Sequence, residues 1–87
     1  MIINPIIKMY KHIYTMGVLS VIVFNRLWET MKSKGISSYR LREDYDIDTR
    51  IIRRLRANMN IETYTLNKLC NILDCRLEDI AEYVRDE

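Results

Sequence analysis

The sequence predicts an all-α domain of five helices, preceded by an N-terminal helix and a short β-strand arm. Three observations predict it. Apolar residues recur at three- and four-residue spacing along most of the 87 residues. Residues that start or stop helices punctuate that recurrence. One β-branched and aromatic run, "VLSVIVF" at 18–24, interrupts it and reads as a strand. The length suits one folding unit, divided into an arm at 1–24 and a helical domain at 25–87.

Each element has its own signal. Asn4-Pro5 starts a helix, with Asn as cap and Pro at the first helical position. Ile2, Ile6, Met9 and Ile13 line one side of it, and Gly17 stops it. After the strand, Asn25 caps "RLWETMKSK", whose inward residues are Leu27, Met31 and Trp28, and Gly35 ends it. Ser37 caps "SYRLREDY", with Leu41 inward, and Asp48 caps "TRIIRRLRA". "TYTLNKLCNILD" carries Leu66, Leu69, Cys70 and Leu73 on one face. "LEDIAEYV" is the fifth helix, with Leu77, Ile80, Ala81 and Val84 inward. The connections are short and polar, without repeats or low-complexity tracts.

Composition removes several function classes. Hydrophobic residues make up 48% and charged residues 30% of the chain, a balance that argues against a membrane bundle. The apolar run Met16–Phe24 is shorter than the about 20 residues of a spanning helix, and Lys8 and Lys11 sit inside the apolar stretch where a signal peptide would not have them. Cys70 and Cys75 form no disulfide framework, which points to the cytoplasm, and lie five apart along one helical segment, so burial as free thiols is expected. His12 is alone, and the acids at 43, 44 and 46 cannot converge on one ion from adjacent helical positions, so neither metal nor cofactor is expected. With two glycines there is no phosphate cradle, and no catalytic constellation is present, so an enzyme is not expected.

Net charge is only +2, so the distribution of charge carries the information. "DTRIIRRLRAN", 48–58, holds Arg50, Arg53, Arg54 and Arg56 and no acid after Asp48. Ile52 and Leu55 share a face with Ile47, which turns Arg50, Arg53 and Arg54 outward. Charge alone leaves two readings. One is a solvated face partly neutralised by Glu43, Asp44 and Asp46. The other is a DNA-reading helix preceded by a short supporting helix, whose N-terminal residues Thr49, Arg50 and Arg53 lie nearest the base edges.

A longer pattern bears on that choice. The chain has Asn25, Leu27 and Trp28, then Leu41 and Arg42, then Ile47, Ile52 and Leu55. It continues with Leu66, Lys68, Leu69, Cys70, Leu73, Cys75, Asp79 and Ile80. Across these positions the run from Asn25 to Val84 resembles the phage repressor/Cro-type (XRE-like) helix–turn–helix DNA-binding transcriptional regulators. The resemblance implies a repressor-type helix–turn–helix domain that binds double-stranded DNA in the major groove through helix 49–57. It implies base contacts from Thr49, Arg50 and Arg53. It implies phosphate contacts from Ser38 and Tyr39 at the start of the supporting helix, and from Arg54, Arg56 and Asn58 along the flanks. It supports buried cysteines. Tyr10, Tyr14, Tyr45, Tyr64 and Tyr83 are expected to pack at boundaries.

The chain departs from the family pattern at four positions. Asp46 stands where the turn usually carries Gly, and Asp48 where the recognition-helix cap is usually Ser. Glu62 and Arg76 stand where Ser- or Asp-like caps begin the last two helices. The expected function is a DNA-binding repressor with no small-molecule ligand. The alternative is a protein-interaction module, such as the DNA-binding antitoxin partner of a toxin, docking through the arm. The apolar strand needs a backbone partner; beyond a short C-terminal extension near Tyr83 to Arg85 the helical domain offers few, and a second copy paired antiparallel about a two-fold axis is the simplest supply. A homodimer through residues 1–24 is therefore expected.

Overall fold

The computed structural model describes residues 19–86. In chain order these form β1 (Leu19–Val23), α1 (Asn25–Lys34), α2 (Ser38–Tyr45), α3 (Thr49–Arg56), α4 (Thr63–Leu73), a 3₁₀ turn (Leu77–Asp79) and β2 (Glu82–Asp86). The helix expected before Gly17 lies outside the described residues.

Local chemistry sets most boundaries. The Ser37 side chain accepts the Arg40 N–H, and the Asp48 side chain accepts the Arg50 N–H, so both expected caps are in place. Asn25 is not a cap: it is the first residue of α1, and Phe24 precedes it without a side-chain cap. Three helices end in the same closure. Gly35, Asn58 and Asp74 adopt left-handed backbone with φ of 70°, 56° and 49°. The N–H groups of Ile36, Met59 and Cys75 then reach back to the carbonyls of Met31, Arg54 and Cys70. This Schellman geometry satisfies carbonyls that the helix end would otherwise leave open. Asp46, also left-handed, ends α2 and lets Ile47 N–H reach Leu41 O at 2.9 Å.

The core forms where the inward stripes meet. Leu27 and Met31 of α1, Leu41 of α2, Ile52 and Leu55 of α3, and Leu69 and Leu73 of α4 are buried together with Phe24, Ile47 and Ile80. Leu27, Leu41, Leu55 and Leu69 are fully sealed from solvent, and truncating any one to Ala would cost about 2–5 kcal/mol, a large share of the stability of so small a domain. Trp28, Leu66 and Cys70, expected inside, are only partly buried.

The fifth helix is replaced by other structure, so the domain is mostly helical with four helices among the described residues and a two-stranded sheet. After the 3₁₀ turn the chain runs out as β2 and pairs antiparallel with β1, from Leu19↔Asp86 to Val23↔Glu82. Leu77 and Val84 are consequently exposed, whereas Ile80 and half-buried Ala81 face the core. The cause is backbone satisfaction. A helix over 77–84 would leave the N–H and C=O groups of β1 unmatched, and a ladder with Tyr83-Val84, both good strand formers, matches them. The partner of β1 is thus a strand of its own chain rather than the expected second copy. Asp79 Oδ2 accepts the Arg76 N–H at 2.9 Å and starts the turn, so the missing cap at Arg76 is supplied from three residues on. Thr30 donates to Asp79 O at 2.6 Å, and Arg26 reaches both Glu78 O (3.2 Å) and Glu82 (3.4 Å), fastening α1 to this C-terminal segment.

Candidate nucleic-acid interface

Two short helices, α2 and α3, meet across the three residues 46–48. Burial of Ile47 before α3, and of Ile52 and Leu55 on it, fixes the rotation of α3 about its axis. Thr49, Arg50, Arg53 and Arg54 are exposed as a result. The Arg50 side chain is 83% accessible. Arg50, Arg53 and Arg54 line one shallow groove of about 280 Å³ together with Ala57 and Met59. The outer face of α3 is therefore cationic and continuous, and its inner face is apolar.

Asp48 stands at the N-terminus of this face. Its Oδ1 accepts the Arg50 N–H at 2.7 Å, and its Oδ2 lies 3.7 Å from the Arg50 guanidinium. The backbone hydrogen bond from Arg50 holds the Asp48 carboxyl below its ordinary value, with the Arg50 and Arg53 charges adding in the same direction. One negative charge thus sits among the arginines at neutral pH.

The remaining expected residues fall into three groups. Ser38 and Arg56 are brought together: Arg56 Nη2 donates to Ser38 Oγ at 3.0 Å. The same guanidinium lies over the Trp28 ring, 4.4 Å from its centroid. Tyr39 is exposed at the start of α2, and Arg42, three residues on, sits 5.6 Å from its ring centroid. Asn58 is half-buried and turns inward: its Oδ1 accepts the Phe24 N–H at 2.7 Å, joining the end of α3 to the start of α1. That structural task had no signal in the sequence, because the partners are 34 residues apart. Trp28 as the shelf beneath Arg56 was equally invisible, whereas the Tyr39–Arg42 pair has the i,i+3 spacing that puts neighbours on one helix face.

The acids of α2 do not neutralise α3. Asp44 pairs with Arg40 of its own helix at 3.1 Å. Among the described residues no ion pair involves Arg53 or Arg54. The rival reading of the arginine face, charges balanced one turn away, therefore lacks the pairs it needs.

The Cro/C1-type HTH DNA-binding domain family matches residues 26–86. The chain belongs to that family. The matched span runs from the first turn of α1 to the end of β2, so this Cro/C1-type domain includes the C-terminal strand as well as the α2–α3 pair. Among solved structures the fold is similar to the crystal structure of the transcriptional regulator VanUg, Form II, with a TM-score of 0.70 and 24% identity over 77% of this chain and 89% of that one. No curated protein matches the sequence significantly. Among the described residues no helix is long and apolar enough to cross a membrane, and no group of three His, Cys, Asp or Glu is placed to hold a metal ion.

Proposed function

We propose that this Cro/C1-type domain is a sequence-specific transcriptional regulator of the cytoplasm that acts as a repressor by occupying double-stranded DNA. The observation that carries the reading is the outward array of Arg50, Arg53 and Arg54 on a helix whose other face is locked into the core. A helix 49–57 entering the major groove by its N-terminus brings Thr49, Arg50 and Arg53 to the base edges, where arginine reads guanine through two parallel hydrogen bonds. Ser38 and Tyr39 meet the phosphates from the start of α2, and Arg54 and Arg56 meet them along the flanks, whereas Asn58, expected there too, is turned inward onto the Phe24 N–H. Asp48 biases the adjacent base position toward cytosine, whose amino group it accepts, and repels phosphate nearby.

The homodimer through residues 1–24 belongs to the same proposal. Ile22 and Tyr83 sit opposite each other in the β1–β2 ladder and both are more than half exposed, at 53% and 63%. Residues 1–18 precede β1 in the sequence and include Ile2, Ile6, Met9 and Ile13 at three- and four-residue spacing. A two-fold pair would set two recognition helices one DNA turn apart, about 34 Å, for a palindromic site. The same exposed pair supports the alternative of a toxin-type protein docking on the arm. A gel shift against genomic fragments, run beside co-purification of the full chain, separates the two. A regulator retards a small set of fragments at physiological salt. An interaction module of the antitoxin kind brings down a stoichiometric partner, whether or not it also retards DNA, and a regulator acting alone brings down none.

A further inference from the structure

Cys70 and Cys75 are both free and half-buried. Five residues on a continuing α-helix would set them about 140° apart around the axis. But α4 does not continue. Asp74 turns left-handed, its N–H reaches Asn71 O at 3.4 Å, and the Cys75 N–H reaches Cys70 O at 3.1 Å. In this closure the residue after the left-handed one folds back against the residue five before it, and here both are cysteines. With the 3.1 Å bond between them, standard bond lengths hold their Cα atoms within about 7 Å, the outer limit for a disulfide. Both thiols are free, and the turn brings together two cysteines that a continuing helix would keep apart.

The two thiols are not equivalent. Cys70 lines a depression of about 250 Å³ with Thr63, Leu66, Asn67 and Leu77, wide enough for a small solute. Cys75 does not line it. Burial pushes the Cys75 thiol up, Cys70 and Asp79 push it the same way, and Lys34 from α1 opposes them more weakly.

We propose that Cys70 and Cys75 are a modification site at which a small peroxide forms a reversible intramolecular disulfide, Cys70 being oxidised first and Cys75 resolving it. The Cys70 thiolate attacks one peroxide oxygen, the O–O bond breaks, and the departing hydroxide or alkoxide takes up a proton, leaving a sulfenic acid on Cys70. The Cys75 thiolate then attacks the Cys70 sulfur. The S–O bond breaks, the S–S bond forms, and the hydroxide leaves as water with the proton Cys75 released. Two thiols lose two electrons and the peroxide gains them. Because only the thiolate resolves, closure quickens with pH, about tenfold per unit below the Cys75 pKa. The site uses no residue of α2 or α3, so it stands or falls apart from the DNA reading.

The test uses the full chain, whose two cysteines are its only ones. The protein is treated with equimolar hydrogen peroxide, then alkylated and weighed by intact mass spectrometry without reductant. The expected product is a monomer lighter by two hydrogens, with neither thiol alkylated, and dithiothreitol restores both. In Cys75→Ser the Cys70 sulfenic acid accumulates and is trapped by dimedone, and Cys70→Ser is unmodified at the same dose. Two alkylated thiols in the treated wild type, a mainly intermolecular disulfide, or oxidation of Cys75 in Cys70→Ser would each overturn the assignment.

Discussion

The Arg56 guanidinium rests on the Trp28 ring, 4.4 Å from its centroid, and is held there by a 3.0 Å hydrogen bond to Ser38 Oγ. Three helices meet in that contact: α1 gives the aromatic shelf, α2 the hydroxyl and α3 the cation. Stacking of this kind is worth about 0.5–1 kcal/mol at an exposed site. Its larger effect is to hold one rotamer of a side chain that would otherwise lose about 0.5–1.5 kcal/mol of conformational freedom on binding.

Trp28→Leu should therefore weaken binding to every duplex alike while leaving base preference intact. Arg56→Ala should do the same and also flatten the salt dependence, because one phosphate contact is lost. In the double variant the two losses should not add, since they remove one contact. Fluorescence anisotropy with specific and scrambled duplexes at several salt concentrations reads both quantities, and strict additivity would uncouple Trp28 from Arg56.

Asp48 offers a charge test without loss of the cap. Asn caps a helix as well as Asp, so Asp48→Asn should keep α3 intact. It should raise affinity for non-specific DNA and steepen the salt slope, because a carboxylate among the arginines is removed. The pH dependence follows from the depressed pKa of Asp48. A lowered folded-state value contributes stability that is present above the unfolded carboxylate range and is lost as pH falls through the folded value. Wild-type thermal stability should show no Asp48-linked loss from pH 7 down to about 5, so its difference from Asp48→Asn should be constant there and narrow only in the acid range, below about pH 4.

Asn58 combines a left-handed φ of 56° with the 2.7 Å bond to the Phe24 N–H. Gly keeps the backbone geometry and loses the side-chain bond, whereas Ala loses both. Asn58→Gly should cost about 0.5–1.5 kcal/mol and Asn58→Ala roughly 1–2 kcal/mol more. Urea unfolding of the two variants measures the difference, and equal stabilities would remove the backbone part of the explanation.

The sequence made the local decisions readable. Ser37, Asp48 and Gly35 act where they stand, because a cap or a left-handed stop needs only its own few neighbours. The outward, cationic face of α3 was legible for the same reason, since Ile52 and Leu55 three apart set its rotation. The spacing of Leu77, Ile80, Ala81 and Val84 misled because it suits a helix, and only β1, some 60 residues earlier, decides for a strand. Trp28 beneath Arg56 and Asn58 against Phe24 join distant positions, so no local pattern announces them. The cysteine pair was hidden by a left-handed turn at Asp74, a residue type that permits that turn without demanding it.

The arm proposal is tested by removing residues 1–18, which leaves β1 and its ladder whole. The truncated chain should sediment as a monomer, keep its helical circular dichroism and bind a half-site weakly, while the full chain at tens of micromolar sediments as a dimer. A full chain that is monomeric there would overturn the dimer, and a truncated chain that still dimerises would put the interface on β1 or elsewhere rather than on residues 1–18.

On the proposed function, α3 reads base sequence through Arg50 and Arg53. Selection of bound sequences from a random duplex pool, carried out in parallel for the wild type, Arg50→Ala and Arg53→Ala, tests it most directly. The wild type should enrich a defined motif containing guanine. Each variant should lose preference at one position of it, with a cost of about 1–3 kcal/mol against the wild-type site. An unenriched wild-type pool, or the same motif from all three proteins at equal affinity, would contradict the account.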